Sequence, residues 1–343
     1  MNILITGGAG FIGSCFVREW LTTNPNDIVV CLDALTYAGS LHTLAEVQHN
    51  HNFVFVHGNI QDTTLIEFIL RKYKIEGVVN FAAETHVDRS LHDANPFLDT
   101  NVSGCLALMQ TASRCNVRRF VHVSTDEVYG SIPIGSTSEN AALAPSSPYS
   151  ESKAQADEKV LAASKQIGRM SIMITRSSNN YGPYQHPEKF IPIAITNLLQ
   201  HKKIPLYGTG LNVRDWLFVE DNCRAIANVL LHGRHGEVYN IGSSSEKTNK
   251  EIVSALLPLL KKDESSVEPI ADRKNHDLRY SVNWEKIKHE LGWKPSVSFE
   301  EGMALTVEWY AQNSWWWRII RDDLKFKEYE QKHYVQLHGM KSV

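Results

Sequence analysis

Up to about residue 180, the hydrophobic and polar positions alternate between short apolar runs and longer amphipathic stretches. The apolar runs are mostly continuous, which is typical of parallel strands covered on both faces. They predict strands at residues 2–6, 28–33, 53–57, 77–81, 120–124 and 171–176. Helical patterns lie between them, at residues 10–23, 64–73, 99–116 and 150–166. This βαβ rhythm predicts an α/β fold with a doubly wound parallel sheet.

After Gly182 and Pro183 the rhythm weakens, which predicts a second, smaller α/β lobe. We therefore expect two domains, at residues 1–182 and 183–343, with some crossover of the second into the first. The patterns predict helices at residues 192–201, 220–232 and 250–260, and short strands at residues 205–207 and 238–241.

Two further features lie toward the C-terminal end of the sequence. Residues 262–275 are polar and irregular, and this segment is the candidate for a mobile or ligand-closing loop. An amphipathic stretch at residues 299–310 precedes Trp315, Trp316 and Trp317. Exposed tryptophans could mark a partner or membrane surface, but consecutive residues cannot share one helical face. Packing of a C-terminal helix against the body is the favoured interpretation.

Composition narrows the class of protein. The 343 residues are 43% hydrophobic and 21% charged with a net charge of −3, which argues against a disordered chain, a collagen or a coiled-coil rod. The balanced charge offers no global field for nucleic acid, and no apolar run approaches the roughly 18 residues of a membrane span. The N-terminal region shows no secretory pattern, and the five cysteines show no pairing or metal-ligand spacing. We expect a cytoplasmic enzyme or binding protein.

A glycine-rich turn follows the first predicted strand. Gly7, Gly10 and Gly13 precede a predicted helix, and Asp33 ends the next strand. Glycines allow a tight turn and close approach of a pyrophosphate to the helix N-terminus, while the carboxylate would accept hydrogen bonds from ribose hydroxyls. No Arg or Lys adjoins Asp33 to receive a 2′-phosphate. An ordinary strand-to-helix turn is the alternative, but the context favours a Rossmann-type site for NAD rather than NADP.

Two further groups carry candidate chemistry. Thr125, Asp126 and Glu127 end the fifth predicted strand, at the edge where such sheets bind ligands. Tyr149 and Lys153 lie four apart on one helical face. A nearby ammonium, with oxidised nicotinamide adding positive charge, favours the phenolate that could take a proton from a sugar or alcohol hydroxyl. A strand-end cap and a surface helix turn are the alternatives.

Several blocks together resemble the nucleotide-sugar 4,6-dehydratases of the extended short-chain dehydrogenase/reductase superfamily. The resemblance runs from Met1 to about Tyr310, and STDEVYG, from Ser124, discriminates best because related epimerases and decarboxylases usually lack its adjacent Asp-Glu pair. The other blocks are ITGGAGFIGS, LDALTYAGSL, FAAETHVDRS, SPYSESKA, SSNNYGPYQHPEKFIP, RDWLFVEDN and YNIG.

The resemblance implies a lyase that acts on dTDP-glucose in deoxysugar or rhamnose precursor synthesis. Tyr149 would be the base for the C4 hydroxyl, Thr125 would bind the C4 oxygen, and Lys153 would hold the nicotinamide ribose. Oxidation at C4 acidifies the hydrogen on C5, so that Glu127 as base and Asp126 as acid could eliminate water across C5 and C6. Bound NAD would return its hydride to C6.

The resemblance also implies binding residues. Those for NAD are Gly7, Gly10, Phe11, Ile12, Gly13, Asp33, Ala34, Leu35, Thr36, Asn59, Ile60, Ala82, Ala83, Glu84, Thr100, Tyr149, Lys153 and Asn180. Those for the nucleotide-sugar are Thr85, Thr125, Asn179, Glu188, Lys189, Phe190, Pro205, Tyr207, Arg214, Asn249, Arg273 and His276. For Arg214 the alternative is a surface salt bridge to Asp215 or Glu220.

The chain departs from the family at three places. Asn59 stands where Asp is common, Ala34 where Lys is usual, and residues 273–276 lack a Pro-Gly pair, which leaves the choice between dTDP and UDP open. No metal site is expected, and similar proteins form homodimers through the helices at residues 99–116 and 150–166. The alternatives are a UDP-glucose 4,6-dehydratase, a nucleotide-sugar 4-epimerase and, from another class, an NAD-sensing scaffold protein.

Overall fold

The structure is a computed structural model that describes residues 1–272, 277–324 and 326–328. Its strands are β1 (Ile3–Thr6), β2 (Val29–Asp33), β3 (Phe53–His57), β4 (Gly77–Asn80), β5 (Arg119–Thr125), β6 (Ser171–Ser177), β7 (Asn179–Tyr181), β8 (Ile204–Tyr207), β9 (Val213–Phe218), β10 (Val238–Ile241), β11 (Glu246–Thr248) and β12 (Val267–Ile270).

The helices alternate with these strands. They are α1 (Phe11–Thr23), α2 (Thr63–Lys72), α3 (Val87–His92), α4 (Asn95–Phe97), α5 (Cys105–Arg114), α6 (Pro148–Ser164), α7 (Phe190–Leu199), α8 (Val219–His232), α9 (Asn249–Leu259), α10 (Glu285–Leu291), α11 (Phe299–Gln312) and α12 (Ser314–Asp322). Short 3₁₀ turns occupy Leu41–Leu44, Asp126–Tyr129 and Glu264–Ser266, and Leu98–Gly104 is π-helical.

The central sheet is Rossmann-type, as predicted. Seven parallel strands lie in the order β10-β6-β5-β4-β1-β2-β3. Helices α1 and α8 cover one face through one apolar cluster, and α2, α5 and α6 cover the other. The strand order reverses between β1 and β4, and ligands bind in the crevice outside the carboxyl ends at such a point.

The second half of the chain contributes to both parts of the molecule. Strand β10 pairs in parallel with β6 and completes the central sheet, and α8 packs against α1. Helix α10 packs on α8 and β10, and most other C-terminal elements pack around a separate apolar cluster with the small sheets β11-β9-β7 and β12-β8. The chain therefore forms one Rossmann-type central sheet and one smaller lobe with its own apolar cluster.

Most predicted elements are confirmed with end points within two residues. The helix predicted at residues 99–116 is a π-helical stretch that continues into α5. The prediction of an irregular loop at residues 262–275 is wrong for residues 264–270, because β12 pairs with β8 there. Residues 273–275 of that segment lie outside the described residues. Elements that the sequence did not predict include α3, β9 and α10.

The tryptophan run packs as the favoured interpretation predicts. Trp316 and Trp317 are buried in the C-terminal cluster, and the indole N–H of Trp317 donates to the carbonyl of Tyr310 at 2.8 Å. Trp315 on the other side of α12 is half exposed, with its ring centroid 6.0 Å from that of His42. No helix within the described ranges is long and apolar enough to cross a membrane.

Candidate active site

The glycine turn between β1 and α1 is shaped by close backbone contacts. Gly7 has a φ of +68°, and a Cβ added there would lie 2.6 Å from the backbone nitrogen of Ala82. A Cβ at Gly13 would collide with the carbonyl oxygen of Gly7. Helix α1 begins directly after Gly10, so its free N–H groups face the crevice. The turn therefore has the geometry of a pyrophosphate cradle.

Asp33 ends β2 with its carboxylate held in place. Oδ2 accepts from the backbone N–H of Ala9 at 2.9 Å, and Oδ1 accepts from that of Leu35 at 2.8 Å. Burial raises the pKa of Asp33, and these two hydrogen bonds partly offset the effect. Each oxygen keeps lone pairs for further donors, such as ribose hydroxyls.

One cavity of about 320 Å³ joins the cofactor and catalytic regions at the carboxyl ends of the strands. It brings together all five predicted catalytic residues and most predicted cofactor residues; Leu35 is an exception. Of the predicted nucleotide-sugar residues it includes Thr85, Thr125, Asn179, Glu188 and Lys189.

The other predicted nucleotide-sugar residues lie elsewhere. Phe190 begins α7, Pro205 and Tyr207 lie on β8, Asn249 begins α9, and Arg214 lies on β9, all outside the lining of the cavity. The predictions for Arg273 and His276 fall on residues outside those described.

Asp126 and Glu127 open the 3₁₀ turn that follows β5. The Thr125 hydroxyl accepts from the backbone N–H of Glu127 and donates to Asp126 Oδ1, both at 3.3 Å. Burial raises the pKa of Asp126 well above its usual range, and the carboxylates of Glu127 and Asp215 raise it further. The pair therefore places a carboxyl group whose protonated form is favoured by burial next to a second, less buried carboxyl group.

Tyr149 and Lys153 lie one turn apart in α6 and are both buried. The Lys153 ammonium donates to the carbonyl of Val123, at the end of β5, at 2.7 Å. Burial and then the carboxylates of Glu127 and Asp126 raise the pKa of the Tyr149 phenol, while a hydrogen bond with Thr125 lowers it. The protein groups that act on Tyr149 thus favour the neutral phenol, and the phenolate predicted from the sequence also depends on the positive charge of oxidised nicotinamide.

The opposite wall of the cavity contains a charged cluster. Lys189 donates from Nζ to the carbonyl of Thr85 at 3.3 Å. Glu188 pairs with Arg89 at 3.3 Å and lies 3.6 Å from His186 Nδ1. Sequence reasoning missed Arg89 and His186 as site residues, although both lie inside blocks that carry the resemblance.

Arg214 is held by backbone carbonyls and an aromatic ring. Its guanidinium donates to the carbonyls of Val213 at 2.7 Å and Asp277 at 3.0 Å, and it lies 4.4 Å from the ring centroid of Tyr280. Tyr280 donates to Asp277 Oδ2 at 2.5 Å. Sequence reasoning missed Tyr280, because a single tyrosine in an irregular segment carries no motif.

The two carboxylates considered as salt-bridge partners of Arg214 bond to other groups. Asp215 accepts hydrogen bonds from the backbone N–H groups of Ser243 and Ser245 and from the Ser243 hydroxyl, at 2.7–2.9 Å. Glu220 pairs instead with Arg224 at 4.0 Å. Within the described part of the chain, Arg214 forms no salt bridge to a carboxylate, so its guanidinium is oriented by carbonyls and the Tyr280 ring and can receive an anion.

Among the described residues, no group of three or more His, Cys, Asp or Glu side chains could hold a metal ion.

Comparisons with known proteins agree with this geometry. The family model described as GDP-mannose 4,6 dehydratase matches residues 4–306. A dTDP-glucose 4,6-dehydratase of Xanthomonas campestris pv. campestris is 46% identical, over 93% of this chain and 95% of that protein. Escherichia coli dTDP-glucose 4,6-dehydratase 1 is 43% identical, over 92% of this chain and 94% of that protein.

Solved structures show the same likeness. The dTDP-glucose 4,6-dehydratase DesIV of Streptomyces venezuelae, with NAD and dTDP bound, superposes with a TM-score of 0.90 at 51% identity, over 93% of this chain and all of that one. A UDP-glucose 4-epimerase of Thermotoga maritima superposes with a TM-score of 0.85 at 30% identity, over 92% of this chain and all of that one. The chain belongs to the family of nucleotide-sugar 4,6-dehydratases that the GDP-mannose 4,6 dehydratase model describes.

Proposed function

We propose that this protein is an NAD-dependent lyase that converts dTDP-glucose into dTDP-4-keto-6-deoxyglucose, in the synthesis of deoxysugar precursors. The observation that carries the proposal is the Asp126–Glu127 pair, which lines one cavity with Tyr149 and Lys153. The pKa of Asp126 is raised by burial first and by Glu127 next, so the two adjacent groups suit the opposite roles of acid and base.

The residues present fit NAD. A side chain on the glycine turn would collide with neighbouring backbone atoms, so its absence lets a pyrophosphate approach closely. The Asp33 carboxylate has lone pairs left for ribose hydroxyls. Asn180 Oδ1 and Ser178 Oγ, which belong to residues that line the cavity, are buried without a hydrogen-bond partner among the described residues, as groups that await a ligand would be. Bound NAD would take a hydride from C4 of the sugar and later return it to C6.

The residues of α6 and the end of β5 prepare the first step. Tyr149 would remove the proton of the C4 hydroxyl as the C4 carbon is oxidised, and Thr125 would hold the C4 oxygen by a hydrogen bond. Lys153, anchored on Val123, keeps two N–H donors for the nicotinamide ribose. Because burial and two carboxylates favour neutral Tyr149, a positive charge next to the phenol is what would release its proton.

The Asp-Glu turn would then carry out the elimination. The ketone at C4 acidifies the C5 hydrogen, which Glu127 removes as a proton. The C6–O bond breaks, and Asp126 donates its proton to the departing hydroxyl, so that one water leaves and a C5–C6 double bond forms. When hydride adds to C6, Glu127 would return its proton to C5. The proton that Tyr149 took from the C4 hydroxyl would then replace the one that Asp126 gave to the departing hydroxyl, which restores the starting state.

Arg214 suits the diphosphate of the nucleotide-sugar, since its donors are fixed by Tyr280 and by backbone carbonyls. We assign the substrate residues named in the sequence analysis to that ligand, with Lys189 and Thr85 nearest to the sugar. UDP-glucose remains the alternative nucleotide, and a 4-epimerase the alternative reaction, because a UDP-glucose 4-epimerase has the same fold at a TM-score of 0.85. The Asp-Glu pair favours the dehydratase.

We also propose that residues 1–182 form the NAD domain and residues 183–343 mainly the nucleotide-sugar lobe, with α8 and β10 crossing into the first. The protein would form a homodimer through α5 and α6, which contact each other on one face of the sheet. Light scattering should then give twice the chain mass of 38.8 kDa. A mass of one chain would rule out the dimer.

The test of the function uses purified protein, NAD and dTDP-glucose deuterated at C4, with UDP-glucose in a parallel reaction. Mass spectrometry and NMR should show loss of one water and deuterium at C6. An isomer of unchanged mass would show an epimerase, and a better rate with UDP-glucose would correct the nucleotide. Folded protein that binds NAD and converts neither sugar would contradict the proposal and favour the scaffold alternative.

A further inference from the structure

A chain of buried polar side chains runs beneath the catalytic residues. Arg176 on β6 donates from Nε to Asp157 Oδ2 and from Nη1 to the Tyr129 hydroxyl, both at 2.8 Å. The Tyr129 hydroxyl donates in turn to Asn240 Oδ1 on β10 at 2.8 Å. All four residues are at most 3% exposed. No part of the proposed chemistry uses them.

This buried network joins the two elements that carry the chemistry. Tyr129 is the last residue of the 3₁₀ turn that begins with Asp126, and Asp157 lies one helical turn beyond Lys153 in α6. Because positions four apart share a helical face, Tyr149, Lys153 and Asp157 form one row. Through two hydrogen bonds, Arg176 therefore links the turn that begins with Asp126 to α6, which carries Tyr149. Its guanidinium also lies 4.8 Å from the Tyr129 ring centroid.

The far end of the network is anchored to the second half of the chain. Asn240 donates from Nδ2 to the carbonyl of Thr137 at 2.9 Å, and its backbone N–H donates to Glu139 at 3.0 Å. Asn240 belongs to β10, which pairs with the strand that carries Arg176. The hydroxyl of Tyr129 is thus fixed from two directions, by Arg176 and by Asn240, and the turn it ends has little freedom to move.

The Asp157 carboxylate also supplies negative charge next to buried cationic side chains. It faces Arg176 at 2.8 Å and His122 Nε2 at 3.6 Å, and Lys153 and Ser124 also act on it. Burial holds the pKa of His122 well below its usual range and favours the neutral imidazole, so Arg176 and Lys153 are the two cations that the Asp157 carboxylate faces. Burial lowers the pKa of Lys153 and Asp157 raises it. Without Asp157, two buried cations would lack a counter-charge.

We propose that the Tyr129–Arg176–Asp157 network is a positioning device that holds the Asp126–Glu127 turn in register with the Tyr149–Lys153 helix, and that Tyr129 and Asp157 are positioning residues for different steps of the reaction. The proposal rests on the proposed function. Tyr129 acts on the elimination through the turn, and Asp157 acts on C4 oxidation through Lys153.

The sharpest test is Tyr129→Phe, which removes one hydroxyl and keeps the ring. Displacement of catalytic groups by about 1 Å can cost on the order of 100-fold, so the elimination rate should fall about 10- to 100-fold. C4 oxidation and the KM for dTDP-glucose should change much less than the elimination rate, because Tyr149 and Lys153 lie on α6 and Thr125 lies on β5, outside the turn. Rapid quench and mass spectrometry should then find the 4-keto-glucose nucleotide accumulating before water is lost.

The matched control is Tyr239→Phe. Tyr239 is also fully buried, lies next to Asn240 on β10, and its hydroxyl makes two hydrogen bonds at 3.1 Å, with Arg234 and Glu290. Its side chain points to the opposite face of the sheet. The control should lose similar thermal stability and no elimination rate. Equal losses in both variants, or an unchanged rate in Tyr129→Phe, would overturn the proposal.

Asp157→Asn tests the other end. Since Asp157 raises the pKa of Lys153, its loss should move the alkaline limb of the C4 oxidation rate to lower pH. His122, Arg176 and Cys105 also face this region, but the pKa values of His122 and Cys105 are displaced from neutrality by burial, and Arg176 keeps its charge. An unshifted profile would contradict the role of Asp157.

Amide hydrogen exchange separates failure of the inference from failure of the proposed function. Tyr129→Phe should speed exchange at Asp126 to Gly130, and Tyr239→Phe should not. If wild-type protein does not convert dTDP-glucose, the proposed function fails, while exchange still decides whether the network fixes the turn. Unchanged exchange in Tyr129→Phe would overturn the positioning claim whatever the substrate.

Discussion

The two ends of the active-site cavity are built from different materials. The cofactor end is a backbone surface, made of the glycine turn, the N-terminus of α1 and one oriented carboxylate on Asp33. The end proposed for the nucleotide-sugar is a side-chain surface, formed by Glu188 and Lys189 just before α7, with Arg214 on β9 outside the lining of the cavity. A backbone surface requires residues without side chains, because a side chain would block the close approach of the ligand. A side-chain surface requires neighbouring residues that pack against each binding group and hold it in place.

The largest effect is expected where the two ends meet. Glu127→Gln keeps the shape of the turn and removes the base, and loss of a general base costs about 10²- to 10⁴-fold. Elimination should nearly stop while slow C4 oxidation continues, so 4-keto-glucose should accumulate in a single-turnover experiment. Normal product formation would show that the base lies elsewhere.

Next comes a substitution that adds only a methyl group to the backbone surface. Gly7→Ala forces a Cβ to within 2.6 Å of Ala82 N at a φ of +68°, and NAD affinity should fall about 100-fold or more as the turn opens. Gly135→Ala is the control, because Gly135 has a φ of +74° and nothing within 4 Å of an added Cβ. Calorimetric titration with NAD should separate the collision from backbone strain. Equal losses in both variants would remove the close approach as the cause.

The side-chain surface should respond more mildly and only toward the sugar. Tyr280→Leu removes the ring beneath Arg214, and a cation–π contact of about 1–2 kcal/mol corresponds to a rise in KM for dTDP-glucose of roughly 5- to 30-fold. The Kd for NAD should not change. Tyr280→Phe keeps the ring and should keep most of the affinity. If Phe loses as much as Leu, the hydroxyl bonded to Asp277 is the important group instead.

The smallest effect concerns stability. A carboxyl group whose pKa is raised in the folded state stabilises the fold at low pH, and this contribution is lost as pH rises from about 4 toward the folded pKa. Asp126→Asn should therefore unfold at a higher temperature than wild type near neutral pH, by roughly 2–4 °C for each kcal/mol gained, with the gap narrowing toward pH 4. Scanning calorimetry at several pH values measures this. Exposed Asp99→Asn serves as control and should show no such trend.

The cofactor end could be predicted almost entirely from sequence. Strand, glycine spacing, helix and acidic residue are neighbours in the chain, so their geometry is local and each signal supports the next. The same holds for Tyr149 and Lys153, which helix periodicity places together. Their proximity to Asp126 follows from adjacent parallel strands and the helix between them.

The rest depends on contacts between distant segments. The sequence did not predict β12, because Glu268 and Pro269 interrupt the apolar pattern that is typical of a strand. Among the described strands it pairs with β8, in a sheet separate from the central one. Tyr280 reaches Arg214 through pairing of its segment with β9, and no spacing in the sequence encodes that. Burial of Tyr149 and the carboxylates of the neighbouring turn raise the pKa of its phenol, and helix spacing could not predict this because both depend on how α6 packs against the end of β5.

The position of β10 has a consequence for how the chain is made. The cofactor sheet is closed by a strand that leaves the ribosome more than 50 residues after β6, together with α8, whose apolar side covers β5 and β6. Until then the β6 edge is unpaired and α1 is without α8 on that side of the sheet, which leaves the kind of surface that associates with other chains. A gene fragment that ends at residue 182 should therefore yield aggregated protein.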